Sequence, residues 1–229
     1  SDQPAAAERF QDGADALQAA IARSLTAVCQ RLGTAAVPAA PSRRMDSGAI
    51  GSLAAGYPLQ VWGRQDPRLL GTVEYLLGHC LVDGGFFHDM SHSGINPYLT
   101  LHLAQVLLRA GDGRFADLMA AIAGLASPTG QWPEAVHPAT RGGCMGDGQH
   151  VWAAAEWVMM LRNCFVREDR EGASLVLGSG VVPAWYAGAA RAAFGPAPTA
   201  FGPVQVTVER QDGGIVVAWQ GRWHGAAPR

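Results

Sequence analysis

The sequence has little charge and contains no lysine. Only 16% of its 229 residues are charged, all 17 basic residues are arginines, and the formal net charge is -2. Binding along a nucleic acid backbone needs a concentrated positive field, because Lys and Arg make most of the phosphate contacts. The composition therefore excludes nucleic acid as an expected partner.

Paired cysteines and long apolar runs are also missing. Cys29, Cys80, Cys144 and Cys164 are far apart and form no CxxC pair, so no disulfide framework is expected. No apolar run reaches the roughly 20 residues that a membrane-spanning helix needs. The N-terminal segment SDQPAAAERF has neither the basic start nor the apolar core of a signal peptide. We therefore expect a soluble, cytoplasmic protein.

Apolar residues at helical spacing predict six helices. The first, from about Ala5 to Leu32, has an apolar stripe that indicates one buried face, formed by Phe10, Leu17, Ile21, Leu25, Val28 and Leu32. Similar but more uniformly apolar or small runs predict the other five, at Ser42–Trp62 with a kink at Pro58, Pro67–Cys80, Pro97–Ala110, Arg114–Ala126 and Val151–Val166.

The connections between these helices alternate in length. Short ones follow the even-numbered helices, whereas long ones follow the odd-numbered helices, at Gly33–Ser47, Val82–Asn96 and Ser127–Gln149. If successive helices are antiparallel, the long connections all emerge at one end of the helical layer. Long structured loops in a compact domain usually carry function. We expect helices two, four and six to form an inner layer and the others to lie outside it.

Beyond Glu171 the pattern changes to alternating apolar residues, which are typical of strands. The Asp212-Gly213-Gly214 sequence predicts a hairpin turn between the last two strands. The predicted organisation is thus a helical-hairpin domain at residues 1–170 and a small antiparallel β appendage at residues 171–229. Each helical hairpin spans about 45 to 50 residues, as in helical-hairpin arrays.

The segment Gly130–His150, GQWPEAVHPATRGGCMGDGQH, concentrates chemistry between two apolar helices. Together with the following VWAAAEW it resembles a segment of bacterial glucoamylase-like enzymes of the six-hairpin glycosidase superfamily. This resemblance implies a mainly α fold, the C-terminal half of an (α/α)6 toroid with about three hairpins, and a general base at Glu134. The family commonly has Gln where this chain has Ala135, and it has six hairpins with the acid partner on an earlier one.

Glycoside hydrolysis requires one carboxylic acid that protonates the leaving oxygen and a second carboxylate that activates water or attacks the sugar. We expect Glu134 to activate water during hydrolysis of α-glucan or related oligosaccharides. Asp46 and Asp89 are the candidate acids, and Asp83 is a further candidate that could also accept a sugar hydroxyl. Each also has a simpler interpretation, Glu134 as a salt-bridge partner in its loop and the aspartates as helix caps or turn formers.

The predicted sugar-binding residues are those on the same loops that offer a flat ring or a hydrogen bond. Trp132 is the stronger candidate of the tryptophans, because Trp152 fits a core position equally well. Asp147 suits a helix cap as well as a sugar contact. The full set is Trp132, Asp83, His88, His137, Asp147, His150 and Trp152.

Two other interpretations remain open. The chain fits a noncatalytic carbohydrate-binding or scaffold module that is part of a larger enzyme. It also fits a zinc-dependent enzyme, because Cys144, Asp147, His150 and the Val82–His92 loop supply ligand types that zinc accepts, although their spacing matches no closed zinc motif. Our primary expectation includes no cofactor and no metal. The apolar flanks of half a toroid predict self-association, or docking onto a missing N-terminal half.

Overall fold

The computed structural model describes residues 4–90, 93–146, 148–170, 174–187 and 190–228. The chain begins with the long helix α1 (Pro4–Leu32), which is followed by a 3₁₀ helix (Ser47–Ala55). Four shorter α-helices follow: α2 (Pro67–His79), α3 (Pro97–Ala110), α4 (Phe115–Gly124) and α5 (Val151–Phe165). A second 3₁₀ helix covers Pro183–Tyr186. None of the helices in the described ranges is long and apolar enough to span a bilayer.

The strands form three antiparallel sheets. The first consists of β1 (Leu81–Val82), β2 (Gly85–His88), β3 (Gly94–Ile95), β4 (Ala135–Val136) and β5 (Gly143–Met145), in that order. The second is the hairpin of β6 (Val166–Asp169) and β7 (Ser174–Leu177). The third has β9 (Val204–Gln211) between β8 (Arg191–Ala197) and β10 (Gly214–Gly221).

Local signals explain why α2 and α3 begin and end where they do. Asp66 and Asn96 cap the two helices by accepting backbone hydrogen bonds, and a proline occupies the first helical position of each. Helix α3 ends at Gly111, which adopts the left-handed conformation that favours glycine (φ 78°). These boundaries agree with the predicted ones.

The core is centred on α3, which packs against both α4 and α5. Eleven of its 14 residues are buried, including Leu101, Leu103 and Leu107. Residues of the third sheet, among them Val204 and Val206, belong to the same apolar cluster. The β6–β7 hairpin crosses the predicted domain boundary at residue 170. The division into two domains stays a prediction.

The predicted fold class, a mainly α toroid with a β appendage, is wrong. Strands occur throughout the chain after α2, and one five-stranded sheet is built from the long connections between helices. The predicted second helix is a 3₁₀ helix of nine residues. Glycines at positions 48, 51 and 56 lower helix propensity there, and Pro58 cannot continue a helix.

Helix α1 agrees with the predicted range, but its predicted buried face is wrong. Phe10, Leu17 and Ile21 are exposed, and Val28 is its only buried residue among those described. The predicted hairpin turn is confirmed, because Gln211 pairs with Gly214 across Asp212 and Gly213. Gly213 has a positive φ of 95°, which a tight hairpin turn requires.

Candidate functional site

The three long connections contact one another. Strand β3, from the second connection, pairs with β4 of the third through Ile95 and Val136. The hydroxyl of Ser47, at the end of the first connection, donates a hydrogen bond to Asp89 of the second. We call this region the loop end.

Asp46 and Asp89, the two predicted acids, both take part in local structure. Asp46 caps the first 3₁₀ helix by accepting a hydrogen bond from the backbone of Gly48 at 3.0 Å, and it pairs with Arg43 at 2.5 Å. Asp89 accepts the hydrogen bond from Ser47. These contacts fit the simpler interpretation of both aspartates as residues that order the loops.

Glu134 is half-buried and lies directly before β4. The backbone of Gly146 is very close to Glu134. A Cβ atom at position 146 would lie 2.9 Å from the Cβ atom of Glu134 and 3.5 Å from its Oε2 atom. Gly146 also has a positive φ of 71°. Within the described ranges, the Glu134 carboxylate has no ion-pair partner. Glu134, the predicted base, therefore lies close to the backbone of Gly146 and has no neutralising cation among the described residues.

Trp132 and Trp152, two of the predicted binding residues, lie in different environments. Trp132 is buried: its Nε1 donates a hydrogen bond to the backbone oxygen of Ile122 at 2.8 Å, and its ring lies 5.4 Å from that of Trp157. Trp152 is 66% exposed at the first turn of α5. Of these two tryptophans, Trp152 is therefore the one with a solvent-exposed ring.

The remaining predicted binding residues occupy turns and strand ends. Asp83 lies in the turn between β1 and β2 and pairs with Arg141 at 3.5 Å. His137 is exposed, and its Nδ1 atom accepts a hydrogen bond from the backbone of Thr140 at 3.2 Å. His88 is a half-buried residue of β2. Asp147, also predicted to bind sugar, lies outside the described residues.

His150 precedes α5 and connects Trp132 to Trp152. Its backbone nitrogen donates a hydrogen bond to the backbone oxygen of Trp132 at 2.8 Å, and its ring centre lies 5.6 Å from that of Trp152. Its side chain makes no capping hydrogen bond. Glu134, two residues after Trp132, is thereby tied through the backbone to the start of α5.

A row of five rings extends from the loop end towards the core. Successive ring centres are 5.6 to 6.2 Å apart. The order is His150, Trp152, Tyr98, His102 and Tyr57. We call these five residues the aromatic row.

Glu156 lies beside this row and is 8% exposed. Its Oε1 atom accepts a hydrogen bond from Nε2 of Gln105 at 2.7 Å, and the side chain of Tyr57 lies near the same carboxylate. Asn163 donates in turn to Oε1 of Gln105 at 2.9 Å. Burial raises the pKa of Glu156 above its usual range and outweighs the effects of Gln105 and Tyr57, which lower it.

The neighbours of Glu156 also titrate abnormally. Burial, followed by the negative charge of Glu156, raises the pKa values of both Tyr57 and Tyr98. Burial lowers the pKa of His102, although its Nε2 atom lies 2.5 Å from the backbone oxygen of Tyr57. The site therefore favours neutral side chains, including a protonated Glu156.

Sequence reasoning missed Glu156, Tyr57, His102 and Gln105. The available signal was the presence of polar residues within apolar helices. His102 and Gln105 interrupt the apolar run of α3, and Glu156 interrupts that of α5. Glu156 also follows Trp152 by four residues, which puts both on one side of the helix.

The predicted zinc ligands do not converge in the described part of the chain. No three His, Cys, Asp or Glu side chains lie there in an arrangement that could hold a metal ion. Cys144 instead donates to the backbone oxygen of Ser93 at 3.4 Å, which joins the second and third connections.

Comparisons with known proteins give only a partial likeness. No protein-family model matches the chain, and no curated protein matches it. Two solved structures of glycosidase variants are similar, each with 20% sequence identity and a TM-score of 0.49. The match covers 64% of this chain and 43% of the glycosidase chain in both cases. The chain thus spans less than half the length of the glycosidases that it matches.

Proposed function

We propose that this chain is a carbohydrate-active protein that hydrolyses glycosidic bonds. The observation that carries the proposal is the position of Glu156, a buried carboxyl with a raised pKa, beside a row of rings that reaches the surface at Trp152. Sugar rings stack on exposed aromatic faces, and a raised pKa favours the protonated form of a carboxyl, which is the form that acts as a general acid. The resemblance of the Gly130–His150 segment suggests α-glucan or related oligosaccharides as the substrate.

In the proposed reaction, Glu156 donates its proton to the glycosidic oxygen as the bond to the anomeric carbon breaks. Glu134 accepts a proton from the water that attacks this carbon, so each carboxyl exchanges one proton per turnover. Trp152 and Tyr98 hold the sugar, and Gln105 and Tyr57 hold the carboxyl of Glu156 in place. Asp46 and Asp89 keep the loops ordered.

Two amide variants test the assignment of the acid and the base. Glu134→Gln should abolish release of sugar from α-glucan oligosaccharides while the protein remains folded by circular dichroism. Asp15→Asn, on the exposed surface of α1, is the matched control and should keep full activity. Unchanged turnover in Glu134→Gln would remove Glu134 from the reaction.

Leaving-group dependence separates an acid from a structural residue. Glu156→Gln should lose about 100-fold or more of its rate on an oligosaccharide, which needs a protonated leaving oxygen. The same variant should keep most of its rate on a dinitrophenyl glycoside, whose leaving group departs without protonation. Equal losses on both substrates would show that Glu156 only supports the fold.

The exposure of Trp152 also favours a second candidate, a noncatalytic carbohydrate-binding module. An exposed ring at a loop end can hold a sugar without any acid or base. Calorimetry distinguishes the two functions: saturable oligosaccharide binding that Trp152→Ala abolishes, without sugar release by the unmodified chain, would establish the binding module.

A further inference from the structure

The last strand of the chain, β10, has one unpaired edge. β10 pairs with β9, which pairs with β8 on its other side, so no strand of the described chain pairs with the second edge of β10. The pairing with β9 continues past the strand, because the backbone nitrogen of Arg222 donates a hydrogen bond to the backbone oxygen of Pro203 at 3.1 Å. Backbone groups alternate between the two sides of a strand in antiparallel pairing. The even-numbered residues of β10 therefore bond to β9, and the N–H and C=O groups of Ile215, Val217 and Trp219 point outward.

The two edges of this sheet differ in their protection against further pairing. The edge strand β8 contains Pro196 and changes register between Phe194 and Ala197. A proline and an irregular register both hinder the addition of another strand. β10 has eight residues in unbroken register, without a proline or a charged side chain. The edge of β10 therefore carries none of the usual features that block pairing with another chain.

The side chains of β10 are unusually apolar for an exposed strand. Ile215, Val217 and Trp219 lie on the same face of the sheet as the buried Val206 and Val208, with which the last two pair. They are nevertheless 55%, 42% and 53% exposed. The apolar face of the sheet thus continues to its free edge without being covered. A further strand at this edge would remove that apolar surface from water.

The sequence of β10 is complementary to itself in the antiparallel direction. When Val217 lies opposite the same residue of a second copy, Ile215 lies opposite Trp219, and all three residues have outward-facing backbone groups. Pairs of an aromatic and a β-branched residue stabilise antiparallel strands. The same register brings Arg222 of one copy to the hairpin turn of the other, which carries Asp212. Both side chains are exposed, and neither has an ion-pair partner in the described ranges.

We propose that the free edge of β10 is a dimerisation surface, at which two copies of this chain pair antiparallel about a twofold axis through Val217. The three-stranded sheets of the two copies then form one continuous sheet. A second copy fits this edge because one register satisfies the outward-facing backbone groups, the apolar side chains and both charges. The sequence predicts self-association through the apolar flanks of the helices, and this interface is a different one. It shares no residue with the aromatic row, Glu134 or Glu156.

Sedimentation velocity tests whether the chain forms this dimer, at concentrations up to about 100 μM, because specific interfaces of standard size have Kd values of μM or below. We expect a dimer whose fraction rises with concentration. Val217→Pro removes an outward-facing N–H that no described residue uses, so it should keep the circular dichroism spectrum and raise the dimer Kd about tenfold or more. Ala193→Pro is the matched control, because it removes an outward-facing N–H from β8, and it should dimerise like the unmodified chain. A chain that stays monomeric, or a Val217→Pro variant with an unchanged Kd, would overturn the proposal.

A charge exchange tests the register of the two strands. Asp212 and Arg222 lie at opposite ends of the eight-residue β10, so they are too far apart to interact within one chain. Arg222→Asp and Asp212→Arg each bring like charges together at both ends of the interface, and each should raise the dimer Kd about fivefold at low salt. The double variant exchanges the charges and should restore the Kd of the unmodified chain. A double variant that dimerises no better than the single ones would contradict the proposed pairing.

Chemical cross-linking tests the position of the twofold axis without weakening the interface. Val217→Cys, in a Cys144→Ser background that removes the exposed thiol, should be linked into a dimer by a short thiol-reactive cross-linker. Directly opposed residues have Cβ atoms about 4.5 to 5.5 Å apart, whereas Ala193→Cys in the same background should stay unlinked. Absence of the Val217→Cys link in a chain that sediments as a dimer would exclude this axis.

The exposed stripe of α1 is the competing surface for a dimer. Leu17→Lys places a charge on this stripe and should leave the dimer Kd unchanged. Loss of the dimer in Leu17→Lys together with its retention in Val217→Pro would assign the contact to α1 and would refute the proposal for β10.

Discussion

Helices α1 and α3 have similar sequence patterns but opposite environments. Both are amphipathic, yet α3 is buried at eleven of 14 positions and α1, with 29 residues, only at Val28. The helical period shows which face of a helix is suited to burial, but it does not show that a partner covers that face. Because helices in proteins are stabilised mainly by packing, the two should differ greatly in their contribution to stability.

The largest difference in stability is expected between a leucine variant in α3 and a leucine variant in α1. Leu103→Ala in α3 should lower the free energy of unfolding by about 2 to 5 kcal/mol, because it removes a fully buried side chain. Leu17→Ala in α1, where the side chain is 62% exposed, should change it by less than about 0.5 kcal/mol. Urea unfolding measures both values. Similar losses would mean that α1 is covered in solution, as by self-association.

The glutamines of the two helices offer a smaller contrast. Gln105→Ala should cost about 1 to 3 kcal/mol, because it leaves the side chains of Glu156 and Asn163 without their buried partner. Gln11→Ala removes only an exposed hydrogen bond to Asp15 and should cost less than about 0.5 kcal/mol. The same urea experiment compares them. A loss below about 0.5 kcal/mol for Gln105→Ala would show that the network around Glu156 is not rigid.

The buried network should also make stability depend on pH. The folded chain retains a proton on Glu156 that the unfolded chain releases near pH 4.5. The stabilisation that comes from protonated Glu156 is therefore fully present below pH 4.5. It is lost as the pH rises through the raised pKa of Glu156, by about 1.4 kcal/mol for each pKa unit between the unfolded and folded states. In Glu156→Gln this loss should disappear. Unfolding curves between pH 4 and pH 8 measure it, and a variant with the same pH profile as the parent would contradict the expectation.

Removing most of α1 should also have only a small effect. Deletion of residues 4–23 should lower the free energy of unfolding by less than about 1 kcal/mol, because these residues contribute almost no buried surface. Amide hydrogen exchange in the full chain should be fast over residues 4–23 and slow in α3. Strong protection of residues 4–23 would show that a second copy or another segment covers them, as the prediction of self-association requires.

The loop end was predictable only in part. Alternating connection lengths predicted that Asp46, Asp89 and Glu134 share one end, and the pairing of β3 with β4 brings two of the three connections together. The strands themselves are two to four residues long and show no alternation that a sequence pattern could reveal. Their pairing depends on contacts between residues about 40 positions apart, such as Ile95 and Val136.

Side-chain direction limited the prediction of the site more than chain position did. Trp132 and Glu134 are two residues apart in sequence, yet Trp132 turns into the core, where its Nε1 donates a hydrogen bond to the backbone oxygen of Ile122. Trp152 faces solvent although its helix is mainly apolar. Polar residues inside apolar helices, such as Glu156, are informative only once a partner such as Gln105 is placed beside them.

The sequence by itself determined the ranges of most helices, the capped ends of α2 and α3, and the final hairpin turn, because spacing, caps and turn residues act over a few neighbouring positions. Tertiary structure alone decided that most of α1 is exposed, that Glu156 lies beside a row of rings, and that Trp132 is buried. Burial and electrostatic environment depend on which distant segments meet, and local patterns do not encode that.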